Sequence, residues 1–450
     1  MAGCRPPPVS IRAVCFIVEA IRASGCSKHQ PLTVHNTRAH IEKSMTSSFP
    51  LSFVRLAWSN LAAQSAEQLS LAAVPIVAVL ALGAGPGEIG LLATAQTLPF
   101  LLLSIPLGLL ADRTSRRQLM AWAEGLRLLA FLTLIASLVM QRLSLELLAV
   151  LGFVGAIGTV GYSVAAPALV PALVPRDRIM AANGRLELAR SIAFTAGPAL
   201  GGALVSWAGA CAAFVLAAVL SGCAVVLLLG LAEPKRPEQT ARHPLLELQD
   251  GARLVWRHAL LRPILLTAVA WNISWFVLQA AYVPYAVRVL GLSAGGVGLT
   301  LASYGAGMIV GSLFAPRVMA ALPFGRAIQV GPSISVLAAA TMAATLLLPT
   351  AAVAVLSFFL FGVGPIIWTI TSTTLRQTVT PNAILGRVSA VFLTVNMGAR
   401  PVGAALGGFI GASWGEAACL LLALAGFVVQ AWLIFASRVS QLRQLPASAD

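Results

Sequence analysis

Residues 59 to 82 read SNLAAQSAEQLSLAAVPIVAVLAL. The segment around them, residues 56 to 80, is apolar enough to span a bilayer, yet Glu67 stands near its middle. A carboxylate at that depth costs about 2.5 to 3.5 kcal/mol on insertion scales, so it has to be compensated or used. It is not alone. Asn60, Gln64, Glu67 and Gln68 are spaced i, i+4, i+7 and i+8 and form one polar stripe on an otherwise apolar helix. Such a stripe faces protein or water and not lipid, so this helix belongs to a bundle with a polar interior.

The whole chain fits that reading. It has 450 residues, 58% hydrophobic and 10% charged, with mean hydropathy +0.88. Soluble domains carry about 25% charged residues, so this is an all-α polytopic membrane protein with the lipid bilayer as its first partner. The net charge of +15 would suggest nucleic acid if the basic residues formed one patch. They fall instead in short clusters between apolar segments, as loops that hold a polytopic protein in orientation do. Nucleic acid is therefore excluded as a partner, and no obligate protein partner is evident.

The six cysteines are scattered, with no CxxC pair, and the five histidines lie outside the apolar segments. A metal site, a disulfide framework and a buried imidazole relay are excluded. The lysines, Lys28, Lys43 and Lys235, do not complete GxxxxGK[ST]. No cofactor is implied, and the chain does not read as an enzyme.

About twelve segments have membrane-spanning length. Their cores are 56–80, 88–110, 119–140, 147–171, 184–206, 210–231, 263–286, 295–315, 327–347, 351–374, 388–411 and 415–436. Residues 1–50 contain no helix-length apolar run and read as a disordered tail or a start codon placed too far upstream, with Met45 the working start. A six-helix half over 51–232, a cytoplasmic linker over 233–261, a second six-helix half over 262–437 and a cytoplasmic tail over 438–450 complete the domain plan. With the N-terminus inside, the outer loops hold only Arg142 and Arg288, while the inner side collects Arg113, Arg116, Arg117, Arg176, Arg178, Lys235, Arg236 and most others. The positive-inside rule then puts both termini in the cytoplasm of a cell with this protein in its cytoplasmic (inner) membrane. At one constant offset Pro175 matches Pro381, Gly197 matches Gly403, LGG at 200–202 matches LGG at 406–408, and Gly209 matches Gly415. Six plus six in parallel repeat is a transporter architecture with its site at the repeat interface.

Between segments two and three stands GLLADRTSRR, Gly108 to Arg117. The glycine would let another helix approach, and the aspartate could accept hydrogen bonds at a neighbouring helix N-terminus. The arginines also serve as a topological anchor. This stretch resembles the loop signature GxxxDRxGRR of the major facilitator superfamily, with Ser115 in place of a glycine and Ala315 where the second half would repeat the acid. The resemblance implies that Gly108, Asp112, Arg113, Arg116 and Arg117 form an inner latch, Asp112 docking near Gly386 and Arg387. TAGPALGGAL in segment five is similar to the glycine-proline motif of exporters in that superfamily, through Gly197, Pro198, Gly201 and Gly202. Ordinary small-residue packing is the competing reading. Together with LATAQTLPFLLLSIPLGLLADR, VPRDRIMAANGRLE and NMGARPVGAALGG, these stretches resemble the branch of bacterial drug and siderophore exporters and lysophospholipid carriers, over residues 51 to about 445.

The resemblance implies that the first helix lines a central cavity, which makes its polar stripe a solute or proton surface. Arg400 is the other deep charge, at a helix depth similar to that of Glu67. Two readings stand for this pair: a structural pairing of buried charges, or proton coupling and anion recognition. Trp271, Trp275, Trp368 and Asn396 are cavity candidates, with packing as the alternative. Glu124, Arg127, Arg185, Glu187 and Arg190 are expected near the cytoplasmic face as snorkelling or inter-helix pairs. The functional expectation is proton-coupled efflux of a drug-like or siderophore-like amphipathic small molecule by alternating access. Import of a metabolite or lysophospholipid, and a non-transporting sensor or scaffold, are the alternatives. A chain beginning at Met45 is expected to insert and transport like the full one, because nothing before it has the length or pattern of a membrane element. Loss of transport with intact insertion would overturn this.

Overall fold

The computed structural model describes residues 49–175, 178–234, 244–381 and 384–446. The expectations for residues 1–48 lie outside the described residues. The rest is helical, in the order α1 (Leu51–Leu82), α2 (Pro86–Arg113), α3 (Arg116–Val139), α4 (Leu145–Leu173), α5 (Ile179–Leu229), α6 (Pro244–Arg257), α7 (Leu261–Arg288), α8 (Ala294–Ala321), α9 (Phe324–Ala344), α10 (Ala351–Val379) and α11 (Leu385–Phe435). Ten of these are long and apolar enough to cross a membrane. Helix is forced here, since in hydrocarbon every backbone N–H and C=O must find its partner within the segment. The starts are set by local chemistry: Ser115, Ser144 and Ser293 each accept a backbone N–H with the side-chain oxygen at the head of α3, α4 and α8.

Two elements are too long for one crossing. α5 and α11 have 51 residues each, about 76 Å of helix against a hydrocarbon core of about 30 Å. Each breaks at one glycine in the left-handed region, Gly209 (φ 82°, ψ 171°) and Gly415 (φ 80°, ψ 178°). An L side chain is disfavoured there, and the two glycines are the pair that the sequence offset matches.

The helix contacts repeat in the same order. α1 packs along α5 as α7 does along α11, α3 packs on α4 and α5 as α9 does on α10 and α11, and α2 packs on α4 as α8 does on α10. The two most extensive pairings that cross between these sets are α2 with α11 and α5 with α8. Both crossing pairs are backbone-to-backbone. A Cβ on Gly90 would stand 2.3 Å from Gly408 Cα, and one on Gly202 would stand 2.7 Å from Gly298 Cα and 2.5 Å from the Ala294 carbonyl.

The expected linker carries structure of its own. α6 buries Val255 and sets Asp250 3.8 Å from Arg387 at the start of α11. His258 follows, its Nδ1 accepting the backbone N–H groups of Leu260 and Leu261 at 3.2 and 3.3 Å. Burial holds this imidazole below its usual pKa, which suits the neutral acceptor. The tail is docked as well: Gly325 N–H donates to the Leu442 carbonyl at 2.7 Å, and Val439 is buried.

Gly90→Val is expected to destabilise the protein by about 1 to 3 kcal/mol through overpacking of the α2–α11 contact. Gly125→Ala is the comparison, since nothing lies within 4 Å of a Cβ there. Thermal unfolding of the solubilised protein checks this. Equal midpoints for the two variants would mean that the two backbones do not touch.

Candidate functional site

A cavity of about 630 Å³ lies between α1 to α5 on one side and α7, α8, α10 and α11 on the other. It reaches Ile264 in the first turn of α7 and Arg376 in the last turn of α10. Among its lining residues are four arginines, Arg127, Arg190, Arg376 and Arg400, and one carboxylate, Glu67.

Glu67 owes its place to α5. Gly197 lies so close to α1 that a Cβ would come within 2.5 Å of Gln68 Cβ, and a Cβ on Gly201 would stand 3.1 Å from the Leu69 carbonyl oxygen. The glycine-proline stretch thus presses α5 onto the polar stripe, and Pro198 itself lines the cavity. Glu67 and Gln68 line it too. Asn60 does not. It is buried between helices, with its amide donating to the Leu186 carbonyl at 3.3 Å. Gln64 is half-buried and outside the lining. The stripe therefore divides, Glu67 and Gln68 lining the cavity and Asn60 packing α1 on α5.

Arg400, Asn396, Trp271 and Trp368 also line the cavity. Arg400 lies with its guanidinium 5.8 Å from the ring centres of both Phe100 and Phe276. It forms no ion pair with Glu67 among the described residues; the two charges face each other across shared space. Trp271 stacks on Trp275 at 5.4 Å and 11°. The Trp271 Nε1 and the Asn396 Oδ1 are buried without hydrogen-bond partners.

The expectation for Glu124 and Arg127 is corrected. They are not snorkelling groups at the membrane surface: their side chains are 0% and 3% exposed, and they form a 3.1 Å ion pair within α3. Arg127 also donates to the Ala63 carbonyl at 2.9 Å and to Thr159 Oγ1 at 2.7 Å, which ties α1, α3 and α4 together beside the cavity. Arg127 also lines the cavity that Glu67 lines. Sequence spacing did carry a signal, since Arg127 lies about 16 Å along its helix from Arg116, near mid-membrane. Arg190 is half-exposed, 2.5 Å from Glu187, and stacks 5.5 Å from the Phe194 ring.

At the charged loop, the Asp112 side chain lies outside the described residues. Gly108 has ordinary room, since a Cβ there would stand 3.8 Å from Val164 Cγ1, so it brings no helix unusually close. Arg113 is exposed. Glu233 holds the start of α3: its carboxylate accepts from Ser115 Oγ at 2.6 Å and from the backbone N–H groups of Arg116 and Arg117 at 3.1 Å. Arg117 in turn donates to the Leu231 carbonyl at 3.1 Å. At the other face Arg288 donates to the carbonyls of Gly83 and Ala84 at 2.8 and 2.9 Å and lies 3.6 Å from Glu416.

A polytopic helix bundle with a charged, aromatic cavity at its centre is the build of a small-solute transporter. The chain belongs to the Major Facilitator Superfamily, whose sequence profile matches residues 56–404. It is 28% identical over 348 residues to an enterobactin exporter of Citrobacter koseri, covering 76% of this chain and 82% of that one. A second enterobactin exporter, from Shigella flexneri, is 28% identical over 306 residues, 68% of this chain and 72% of that one. The fold is similar to that of a bacterial homolog of the human lysosomal transporter Spinster in an inward-facing, unoccupied conformation (TM-score 0.66, 17% identity, 88% of this chain and 98% of that one). It is also similar to an inward-facing bacterial homologue of the iron transporter ferroportin (TM-score 0.65, 17% identity, 86% and 100%). The chain is thus a multi-pass membrane transporter and not an enzyme.

Arg127→Ala is expected to cost about 3 to 5 kcal/mol, because it strands a wholly buried carboxylate. Arg190→Ala, which breaks a half-exposed pair, is expected to cost less than about 1 kcal/mol. Thermal unfolding distinguishes them, and a milder effect at Arg127 than at Arg190 would contradict the burial of the first pair.

Proposed function

We propose that this protein is a secondary active exporter of a drug-like or siderophore-like amphipathic solute, working by alternating access across a bacterial inner membrane with proton entry as the driving force. The observation that carries the reading is the charged, aromatic cavity enclosed between two sets of helices whose packing repeats. The likeness to enterobactin exporters supports the direction and the kind of solute.

On this reading α5 and α11 each cross twice, turning at Gly209 and Gly415, and the bundle has twelve crossings in two six-helix halves with both termini in the cytoplasm. The glycine contacts of α2 with α11 and of α5 with α8, and the Arg288 tie, close the outer face. The cavity, reaching Arg376 and Ile264 at the inner helix ends, faces the cytoplasm. Gly108, Asp112 and the arginines Arg113, Arg116 and Arg117 belong to the inner closure of the opposite state. Alternation consists of parting the glycine contacts and closing the inner ends.

Glu67 is the proton carrier in this scheme. Its carboxylate shares the cavity with Arg400 on the far half and lies in the field of Arg127 on the near one. When the halves rock, the distance from Glu67 to Arg400 changes, and with it the proton affinity of the carboxylate. Coupling then needs no histidine.

Glu67→Gln is expected to abolish uphill transport while leaving solute exchange down its gradient, since the amide still forms hydrogen bonds and carries no proton. Inside-out vesicles energised by a proton gradient, with a panel of amphipathic solutes and an uncoupler control, test this. Uphill accumulation by the variant that still collapses with the uncoupler would remove the proton role from Glu67.

A further inference from the structure

We infer that the cavity selects anionic aromatic solutes, with the acidic group held by Arg400 and Arg376 and the aromatic body stacked against Trp271, Trp275 and Phe276. This rests on the transport reading above and specifies its solute. The argument begins from charge balance. Two of the four lining arginines already have acids: Arg127 pairs with Glu124 at 3.1 Å and Arg190 with Glu187 at 2.5 Å. Arg376 and Arg400 form no ion pair among the described residues. Each buries its Nε without a hydrogen-bond acceptor. Each leans on aromatic rings instead, Arg376 at 4.9 Å from Phe392 and Arg400 at 5.8 Å from Phe100 and Phe276.

A guanidinium does not lose its proton, so both sites stay charged whatever the pH. Cation–π contact returns about 0.5 to 2 kcal/mol, less than the several kcal/mol that withdrawing an ion from water costs. Glu67 supplies one negative charge for the two, at a distance and in competition with Arg127. The missing charge is the one a ligand brings. The planar donor fork of arginine matches a carboxylate, sulfonate or phosphate, whereas a cation would meet like charge. The rest of the wall fits an aromatic body: the Trp271–Trp275 stack offers a flat platform, and Trp271 Nε1 and Asn396 Oδ1 offer an unfilled donor and an unfilled acceptor. A volume of about 630 Å³ suits a molecule of drug size.

The test uses the full chain in nanodiscs of zwitterionic lipid, with empty discs as the blank. Three fluorescent probes are titrated: 8-anilinonaphthalene-1-sulfonate, N-phenyl-1-naphthylamine, which is the same skeleton without the sulfonate, and the cation ethidium. The sulfonate is expected to bind at least about tenfold more tightly than the neutral amine, and ethidium not to saturate. Arg400→Gln and Arg376→Gln should each erase most of that preference, with Arg400→Lys keeping part of it. If the glutamine variants do not fold, displacement of the sulfonate probe from the native chain by 2-naphthoate and by its methyl ester replaces them, the acid being expected to compete and the ester not. Equal affinities for the three probes, preference for ethidium, equal competition by acid and ester, or a preference that survives in the folded double glutamine variant would overturn the inference. Selective binding of the sulfonate by a protein that moves no solute in vesicles would leave this inference standing and remove the transport reading. Proton-driven transport of cations alone would do the reverse.

Discussion

Where Gly90 meets Gly408 and Gly202 meets Gly298, helices of the two sets touch backbone to backbone with no side chain between them. Apolar side chains gain nothing by leaving lipid for one another, so helices in a membrane are held by close van der Waals fit, and small residues set how close that fit is. These two contacts fix the spacing of the two sets of helices at one face. Along α2 and α11 the sequence then changes from Gly90 and Gly408 to Phe100 and Arg400, both of which line the cavity. The cavity is what that change in side-chain size leaves open.

The same arrangement decides how charge is accommodated. The bundle contains both kinds of buried ion. Glu124 and Arg127 form an ion pair on one helix, and the guanidinium donates to groups on two more helices. Glu67 and Arg400 line the cavity from α1 and α11 and form no ion pair with each other among the described residues. On the proposed reading, the two pairs of charges differ in whether the partners share a helix or face each other across a gap that can change.

Much of this was legible before any coordinates. Apolar segment lengths marked the helices to within a few residues. The offset joining Gly209 to Gly415 anticipated two breaks with nearly the same backbone angles, because a left-handed turn without a loop has few solutions other than glycine. The division of the polar stripe was not legible. Asn60 and Gln68 share a helical face, and only the tilt of α5 against α1 decides which of them meets another backbone and which meets open space. Nor was α6, whose role depends on Asp250 meeting Arg387 over a long sequence separation. Depth along a helix placed Glu67 and Arg400 at one level, yet Arg127, on a third helix, lines the same cavity, which counting along one segment cannot reveal.

The turn at Gly209 occupies a single residue, and so does the one at Gly415. On the same face the remaining connections are 83–85, 140–144, 289–293 and 345–350. The molecule therefore shows almost none of itself on that side. Antibodies, proteases and other proteins arriving from there find scarcely any chain to hold. The long connection between α5 and α7, with the docked helix α6 inside it, lies on the other side, and that side offers other proteins the larger surface.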